Sequence, residues 1–419
     1  MTEVLVVGGG LLGVTTAHRL AKRGCSVTLL EAGEKAGEGA CFANGAMICP
    51  SHSDPWNRPG VLGSLLRSFV ERDSAIQLRL TALPGLISWG RAFLANATPE
   101  RNRQTTQRLL ALAQHSVQSY GSDIDAHGGA FDAVRSGTMK VFRSQEPLDA
   151  HIAANTRLKD FGLAFEVLDR AGTIATEPQL APIADALVGA LRYPGDIVAD
   201  ARKYCQFLLG ELSKMGARVE INCRVKSLIE KGEAICGVSS TKGDFEAEHV
   251  VLTLGADPHG LAKQAGLRLP IRPVKGYSIT YDTSALNAKP GIPVIDDALH
   301  VGAIPLGDRL RVAGSVDFAG FDRSIRPERI ALLESILGRV YPELIGALQA
   351  RGGQPWTGLR PMSSDGLPCI GRGHRPGLWV NAGHGHLGWT LAGGSAELLA
   401  DLLTGKAPAV NPDWYAVTR

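Results

Sequence analysis

The segment from Val4 to Glu31 constrains the fold of this chain more than any other. A short apolar strand leads into Gly8-Gly9-Gly10-Leu11-Leu12-Gly13, which has the spacing G-x-G-x-x-G, and a helical stretch and a second strand follow. In a dinucleotide-binding βαβ unit the first glycine permits a tight turn, the second admits a pyrophosphate and the third lets the helix pack on the sheet. The free N–H groups at the start of the helix then favour a phosphate.

Glu31 stands at the end of the second strand, where a carboxylate can accept hydrogen bonds from the hydroxyls of an adenosine ribose. An acid at this position argues against NADP, whose 2′-phosphate requires a cation. The motif does not separate FAD from NAD. A glycine-rich turn of an unrelated α/β protein stays an alternative, because the chain contains 50 glycines.

Composition and charge narrow the class of protein. With 419 residues the chain exceeds one typical core, so we expect two domains. The net charge of +3 and the lack of a dense Lys/Arg run argue against a nucleic-acid partner. The seven cysteines form no C-x-x-C pair and the histidines show no metal-binding spacing, so we expect neither a metal site nor a disulfide framework. No signal peptide or transmembrane stretch is evident, which predicts a cytoplasmic protein and leaves peripheral attachment to the inner membrane face open.

Features of a nucleotide-binding sheet return in three parts of the chain. Apolar strand-like runs occur near the start, at His249–Leu254 and at Leu378–Asn381, which implies that a substrate domain is inserted between them. We predict an α/β chain in which residues 1–60, 196–265 and 355–419 form the nucleotide-binding domain and residues 61–195 and 266–354 form the substrate domain. The predicted elements include mostly helix over 61–127, helices at 199–215 and 391–403, one amphipathic helix from Ile330 to Leu344, and strands at 271–281 and 309–316.

Five separated blocks of the sequence carry a resemblance to a known family. They are Val6–Thr15; Ala43–Ile48, continuing through Pro55 and Trp56 to Gly60; Pro273–Ile279; Trp356–Pro368; and Asn381–Thr390. With these blocks the chain resembles, over nearly its whole length, the FAD-dependent amine and amino-acid oxidoreductases of the D-amino-acid oxidase superfamily, and within it the bacterial D-amino-acid dehydrogenases.

The resemblance implies a D-amino-acid oxidase type of fold, in which a Rossmann-like FAD-binding domain holds an inserted α+β substrate domain built on an antiparallel sheet. It implies FAD as cofactor and the oxidative deamination of a D-amino acid: a hydride passes from Cα to flavin N5, and water hydrolyses the imine to a 2-oxo acid and ammonia. By the same resemblance the electrons go to a quinone or another carrier. A glycine-, sarcosine- or hydroxyproline-type oxidase or dehydrogenase of the superfamily, alone or as one subunit of a complex, stays open. So do an NAD-dependent dehydrogenase and a non-catalytic flavoprotein.

Three side chains are candidates for the substrate site. Arg360 lies in the Gly-Leu-Arg-Pro block, whose arginine anchors the substrate carboxylate in the family, and a guanidinium fork matches a carboxylate bidentately. A structural ion pair with Asp365 is the alternative. The Tyr277 hydroxyl is expected to contact the same carboxylate, unless the ring packs within the sheet. Related glycine oxidases carry an arginine at the position of His386. The histidine is expected either to contact the substrate, to respond to pH, or to fill a polar position without a specific role.

The expected FAD contacts come from the same blocks. Gly383, Gly385 and Gly388 lie between a strand and the closing helix, where backbone passes against the flavin ring and a helix N-terminus faces its N1/O2 edge. Motif and resemblance together predict the FAD site as Gly8, Gly10, Leu11, Leu12, Gly13, Glu31, Ala32, Asn44, Gly45, Ala46, Met47, Val225, Gly255, Ala256, Gly383, His384, Gly385, His386, Leu387, Gly388, Trp389 and Thr390.

Overall fold

A computed structural model describes residues 1–63, 76–256 and 259–419, and it is built around two large sheets. The strands of these residues are β1 (Glu3–Val7), β2 (Ser26–Leu30), β3 (Met47–Ile48), β4 (Ile76–Leu78), β5 (Thr138–Phe142), β6 (Glu166–Asp169), β7 (Gly189–Tyr193), β8 (Ile197–Val198), β9 (Arg218–Glu220), β10 (Val225–Lys231), β11 (Ala234–Ser240), β12 (Gly243–Glu246), β13 (His249–Leu252), β14 (Ile271–Asp282), β15 (Val294–Asp296), β16 (Val301–Leu306), β17 (Arg309–Phe318), β18 (Gln354–Ser363), β19 (Cys369–Arg372) and β20 (Leu378–Ala382). The α-helices are α1 (Leu11–Lys22), α2 (Leu83–Ala95), α3 (Pro99–His127), α4 (Gln145–Thr156), α5 (Arg170–Thr176), α6 (Ala201–Lys214), α7 (His259–Gln264), α8 (Pro327–Val340), α9 (Pro342–Arg351) and α10 (Gly388–Leu403).

The first sheet has the strand order β19-β20-β13-β1-β2-β9, and its strands are parallel except for β19. Its central strands are apolar on both faces, as a parallel sheet covered on both sides requires. The close fit of α1 on this sheet depends on Gly13, where an added Cβ would lie 1.7 Å from the Gly8 carbonyl oxygen. The predicted α/β architecture, in which three separate segments of the chain contribute strands to one sheet, is therefore present.

The second sheet has nine strands in the order β18-β14-β17-β16-β15-β5-β7-β6, with β4 beside β17, and most neighbours are antiparallel. Strand β14 pairs with β18 so that Val274 lies opposite Arg360 and Gly276 opposite Gly358. This register brings two of the sequence blocks side by side, although about eighty residues separate them in the chain.

Two segments lie elsewhere than the predicted domain boundaries imply. Strand β18 belongs to the second sheet, although residues from 355 onward were assigned to the nucleotide-binding domain. Helix α3 packs in the core of the first sheet, where the Tyr120 hydroxyl donates to the Trp389 carbonyl, although 61–195 was assigned to the substrate domain. An apolar stripe shows that a helix is buried, but it does not show against which sheet.

Two helix predictions also need correction. The single helix predicted through Ile330 and Leu344 is two helices, because Pro342 has no N–H to donate and Tyr341 leaves helical geometry at φ −128° and ψ 70°. The helical region predicted over 61–127 contains strand β4 before α2 and α3, and its residues 64–75 lie outside the described part of the chain.

Candidate active site

A cleft of about 1460 Å³ runs between the two sheets and is lined by residues of both. One end lies at the turn after β1 and at Glu31, and the other lies between β14, β18 and the loop that precedes α10. We call these the nucleotide end and the substrate end. Of the predicted FAD residues, only Gly13 does not line the cleft, because it is the packing contact between α1 and the sheet.

The nucleotide end is made largely of backbone. Gly8 has a φ of +108°, and a Cβ there would lie 2.6 Å from the Thr253 carbonyl oxygen, so this turn requires glycine. At Gly10 a Cβ would meet no atom within 4 Å, which leaves open space above the N-terminus of α1. The first turn of α1 contains no acidic residue that could compete for its free N–H groups.

Glu31 braces the loops at this end. Its carboxylate oxygens accept hydrogen bonds from the backbone N–H groups of Gly9 and Gly33, each at 2.6 Å. A carboxylate has about four acceptor positions, so these bonds leave capacity for the hydroxyls of a ribose. The structure thus adds a loop-supporting function to the role predicted for this residue.

The loop Ala43–Ile48 lines the cleft through Ala43–Met47 and is bonded to the second sheet and to the segment after β8. The Ser278 hydroxyl donates to the Ala43 carbonyl at 2.7 Å, and the buried Arg311 donates to the Asn44 carbonyl at 3.2 Å. On the other side, the Ala199 N–H donates to the Ala46 carbonyl at 2.9 Å. Ser278 and Arg311 were not predicted as site residues, because their bonds to the loop follow only from the pairing of distant strands.

The loop before α10 is held by its side chains, which leave its backbone to face the cleft. His384 is buried and pairs with the Ser395 hydroxyl at 2.8 Å, and burial lowers the pKa of its imidazole to about 3. The Trp389 indole packs in the core and donates to the Ala199 carbonyl. The Thr390 hydroxyl accepts from the Cys49 N–H at 3.0 Å. The side chains of Trp389 and Leu387 pack in the core, although both residues also line the cleft, so any contact of theirs with FAD stays a prediction that involves mainly the backbone.

Arg360 is an uncompensated cation at the substrate end. Its Nη1 atom is buried without a hydrogen-bond partner, and no described residue forms an ion pair with the guanidinium. Burial lowers its pKa to about 10, so the group stays charged at neutral pH. The alternative ion pair is ruled out, since Asp365 is held by Arg419 through two contacts of 2.7 and 2.9 Å. A buried cation of this kind is costly unless an anion joins it.

Gly276 makes the space for this cation and was missed as a site residue. A Cβ at Gly276 would lie 1.8 Å from Nη1 of Arg360, so only glycine accommodates the guanidinium in its present position. A glycine inside a strand signals the close approach of another group, and this signal was available in the Pro-Val-Lys-Gly-Tyr block.

The Tyr277 prediction is not supported. Its hydroxyl donates to Asp317 at 2.8 Å, and the ring packs among core residues of the second sheet such as Ile279 and Leu333. Successive side chains of a strand point to opposite faces, so Tyr277 points away from the face that Gly276 offers to Arg360. The packed-aromatic alternative describes this residue better, and its ring still borders the cleft.

Trp56 and His386 complete the substrate end. Their rings stack with centroids 5.2 Å apart and planes 25° apart, and Cζ of Arg360 lies 5.9 Å from the Trp56 ring centroid. Burial, and next the charge of Arg360, lower the pKa of His386 to about 4, so its imidazole is neutral at physiological pH. The arrangement is an aromatic wall beside the positive charge of Arg360, which suits a small carboxylate with a second group alongside.

The sequence matches a family described as DAO, FAD dependent oxidoreductase, over residues 3–402. The chain belongs to this family. A D-amino acid dehydrogenase of Methylobacterium sp. (strain 4-46) is 38% identical over 419 residues, which is 100% of this chain and 99% of that protein. A D-amino acid dehydrogenase of Vibrio cholerae is 36% identical over 409 residues, covering 97% of this chain and 96% of that protein.

Solved structures of related flavoenzymes share the fold. Glycine oxidase from Geobacillus kaustophilus aligns with a TM-score of 0.76 and 24% identity, over 100% of this chain and 99% of that one. L-proline dehydrogenase from P. horikoshii aligns with a TM-score of 0.78 and 19% identity, over 100% and 97%. The predicted D-amino-acid oxidase type of fold is confirmed.

Membership in the FAD-dependent oxidoreductases confirms FAD as the cofactor and decides between FAD and NAD, which the glycine motif left open. The cleft fits this group. Its nucleotide end offers free N–H groups and open space at Gly10, and a Cβ at Gly255 would also meet no atom within 4 Å. Farther along the cleft, Ala43–Met47 and the backbone of residues 383–388 also form part of the lining.

Proposed function

We propose that this protein is an FAD-dependent D-amino-acid dehydrogenase and that Arg360 binds the substrate carboxylate. The observation that carries the proposal is a guanidinium whose Nη1 atom is buried without an anion beside it, at the end of the cleft of a chain that belongs to an FAD-dependent family. Full-length relatives that are 36–38% identical and named D-amino acid dehydrogenase support the substrate class.

The residues of the substrate end would bind and orient an amino acid. FAD, when bound, supplies the acceptor for the hydride that leaves Cα. Arg360 holds the carboxylate in a site partly closed to water, where a charged pair is stronger than at a surface. Trp56 and the neutral His386 border the substrate beside the guanidinium and add no second positive charge against the amino group. Gly276 fixes where the guanidinium lies, and therefore where Cα lies.

The electron acceptor is part of the same proposal. We infer that the electrons pass to a quinone or a similar carrier, as the name dehydrogenase of the relatives suggests for those proteins. No helix in residues 1–63, 76–256 or 259–419 is both long and apolar enough to cross a membrane. A lipid-soluble acceptor would then reach the protein at the membrane surface, with the protein attached peripherally on the cytoplasmic side.

An anaerobic titration of the holoenzyme tests the reaction. Bleaching of the flavin absorption band is followed after addition of D-alanine, L-alanine, glycine, N-methylglycine or D-proline. We expect fast bleaching by the D-amino acid and none by its L-enantiomer, with a 2-oxo acid formed in equal amount. Faster bleaching by glycine or N-methylglycine than by any D-amino acid would contradict the proposal, and so would the absence of bleaching by all of them.

A further inference from the structure

One surface beside the substrate end exposes an unusual amount of apolar side chain. Six of the twelve large apolar side chains that are exposed in the described part of the chain lie on it, with Leu80 71% and Ile87 62% exposed. We call this surface the apolar face, and its members are Leu62, Leu80, Ile87, Leu94, Phe321 and Ile325. Scattered exposed apolar residues need no explanation, but a concentration on one surface marks a site of interaction.

The apolar face is continuous because its elements share one small core. Beneath it lies a cluster that includes Val61, Trp89, Phe93 and Phe318. The residue after β4 is bound to the end of β17, since the Arg79 N–H donates to the Phe318 carbonyl at 3.1 Å. Helix α2 turns Trp89 and Phe93 toward the cluster and presents Ile87 and Leu94 on its outer side, with Arg91 at helical spacing between them.

The charges around the apolar face are predominantly positive. The segments 54–63, 76–103 and 319–328 contain seven arginines and four acidic residues. Three of the acids are paired, because Asp322 binds Arg79 and Lys275, Glu328 binds Arg326, and Glu100 binds Arg103. No ion pair is formed within the described residues by the exposed side chains of Arg58, Arg91 and Arg323.

We propose that the apolar face is a docking surface for an anionic lipid bilayer. Apolar side chains at the centre with unpaired arginines around them are the arrangement of a protein that lies in the interface plane of a membrane. A second copy of the chain is a poorer occupant, since a twofold interface would bring Arg91 and Arg323 of both copies together. Helix α2 would lie along the bilayer, with Ile87 and Leu94 among the lipid headgroups and upper acyl chains.

The position of the apolar face supports this occupant. Trp56 packs on the cluster beneath the face and also lines the substrate end of the cleft, and Arg323 lines the cleft as well. A bilayer on this surface would therefore lie next to the cleft mouth, where an acceptor dissolved in the membrane could be reduced. The choice of lipid as occupant rests in this respect on the quinone acceptor of the proposed function.

The test measures binding without turnover, so it is independent of the reaction. The FAD-loaded protein is sedimented with vesicles of equal parts phosphatidylcholine and phosphatidylglycerol, and with vesicles of phosphatidylcholine alone. We expect binding to the mixed vesicles, weaker binding to the neutral ones, and a loss of about tenfold or more in the partition coefficient for the double variant Ile87→Asp/Leu94→Asp. Arg91→Glu should weaken binding to the mixed vesicles only.

Val167→Asp is the matched control, because Val167 is 51% exposed on β6, away from the apolar face. It should bind vesicles like the wild type. All variants should keep wild-type bleaching by the D-amino acid, which separates failure of docking from failure of the reaction. The proposal is overturned by absence of binding to mixed vesicles, by unchanged binding of the double variant, or by a dimer that only the double variant dissociates while no vesicle binding occurs.

Discussion

The two ends of the cleft are built in different ways. The nucleotide end consists largely of backbone N–H groups and glycines in and just after the first βαβ unit, and Glu31 braces it by accepting hydrogen bonds from the Gly9 and Gly33 N–H groups. The substrate end consists of side chains from β14, β18 and the loop before α10, which are distant in sequence. At the first end a local motif forms the predicted cofactor site. At the second end long-range strand pairing positions the guanidinium that we propose binds the substrate.

The comparison predicts that each end can be damaged while the other keeps its function. Cofactor content reports on the nucleotide end, and carboxylate binding reports on the substrate end. Both can be measured on one sample, since benzoate or a similar carboxylate perturbs the flavin spectrum when it binds beside the ring.

Arg360→Ala should give the largest effect on the substrate end. Loss of a buried, charged contact costs about 2–5 kcal/mol, so kcat/KM for the D-amino acid should fall by about 30- to 4000-fold. FAD content should be unchanged, and stability should not fall, because no described residue forms an ion pair with the arginine that its removal would leave as an unpaired charge. Steady-state kinetics and a thermal melt check both parts.

Two further variants make this prediction specific. Arg360→Lys keeps the charge but loses the fork and should stay impaired. Arg419→Ala is the control, because it removes an arginine that is paired with Asp365 and does not line the cleft. Near-normal kcat/KM in Arg360→Ala would show that the carboxylate anchor lies elsewhere, with His386 or Arg272 next to be tested.

Gly276→Ala tests whether the charge must be held at one position. The new Cβ would require the Arg360 guanidinium, 1.8 Å away, to move aside. A displacement of about 1 Å at a reacting centre costs on the order of a hundredfold in rate, so a large loss of kcat/KM with full FAD content is expected. Gly210→Ala, on the open side of α6, is the control for a glycine substitution with free space. Wild-type kinetics in Gly276→Ala would show that the guanidinium position is not critical.

The features that could be predicted from neighbouring residues lie at the nucleotide end of the cleft, and those that could not lie at the substrate end. The turn at Gly8, the βαβ unit and Glu31 follow from a motif whose residues are neighbours in the chain. Arg360 was found through family resemblance, but its lack of a partner could not be known before Asp365 was seen to bind Arg419. Tyr277 was misplaced because its partner Asp317 comes from the adjacent strand β17, whose register has an irregularity beside Gly276.

Glu31→Ala should weaken FAD binding and leave amino-acid binding unchanged, which is the opposite of what is expected for the Arg360 variants. It removes a carboxylate that bonds the Gly9 and Gly33 N–H groups and that is predicted to hold the ribose, so FAD binding should weaken by about 1–3 kcal/mol. Reconstitution of the apoprotein with FAD, followed by flavin fluorescence, measures this. With saturating FAD the KM for the amino acid should be that of the wild type. A raised KM at full FAD occupancy would mean that the two ends are coupled.

The smallest effect concerns acid stability and links His386 to Arg360. The folded state holds the pKa of His386 at about 4, below the ordinary value near 6.5, so the unfolded chain binds the proton first as pH falls. The free energy of unfolding should therefore decrease from about pH 6.5 down to about pH 4. His386 should account for about 1 kcal/mol of that decrease by about pH 5, after allowance for its partial exposure.

Arg360→Ala removes one of the two causes of the depressed pKa. Between neutral pH and about pH 5, the free energy of unfolding of this variant, measured with urea, should therefore decrease less than that of the wild type. Glu31→Ala, at the other end of the cleft, should lose as much as the wild type, and the other buried histidines cancel in each comparison. Equal losses in Arg360→Ala and the wild type would show that burial alone sets the pKa of His386, and that the charge at the substrate end does not reach its nearest titratable neighbour.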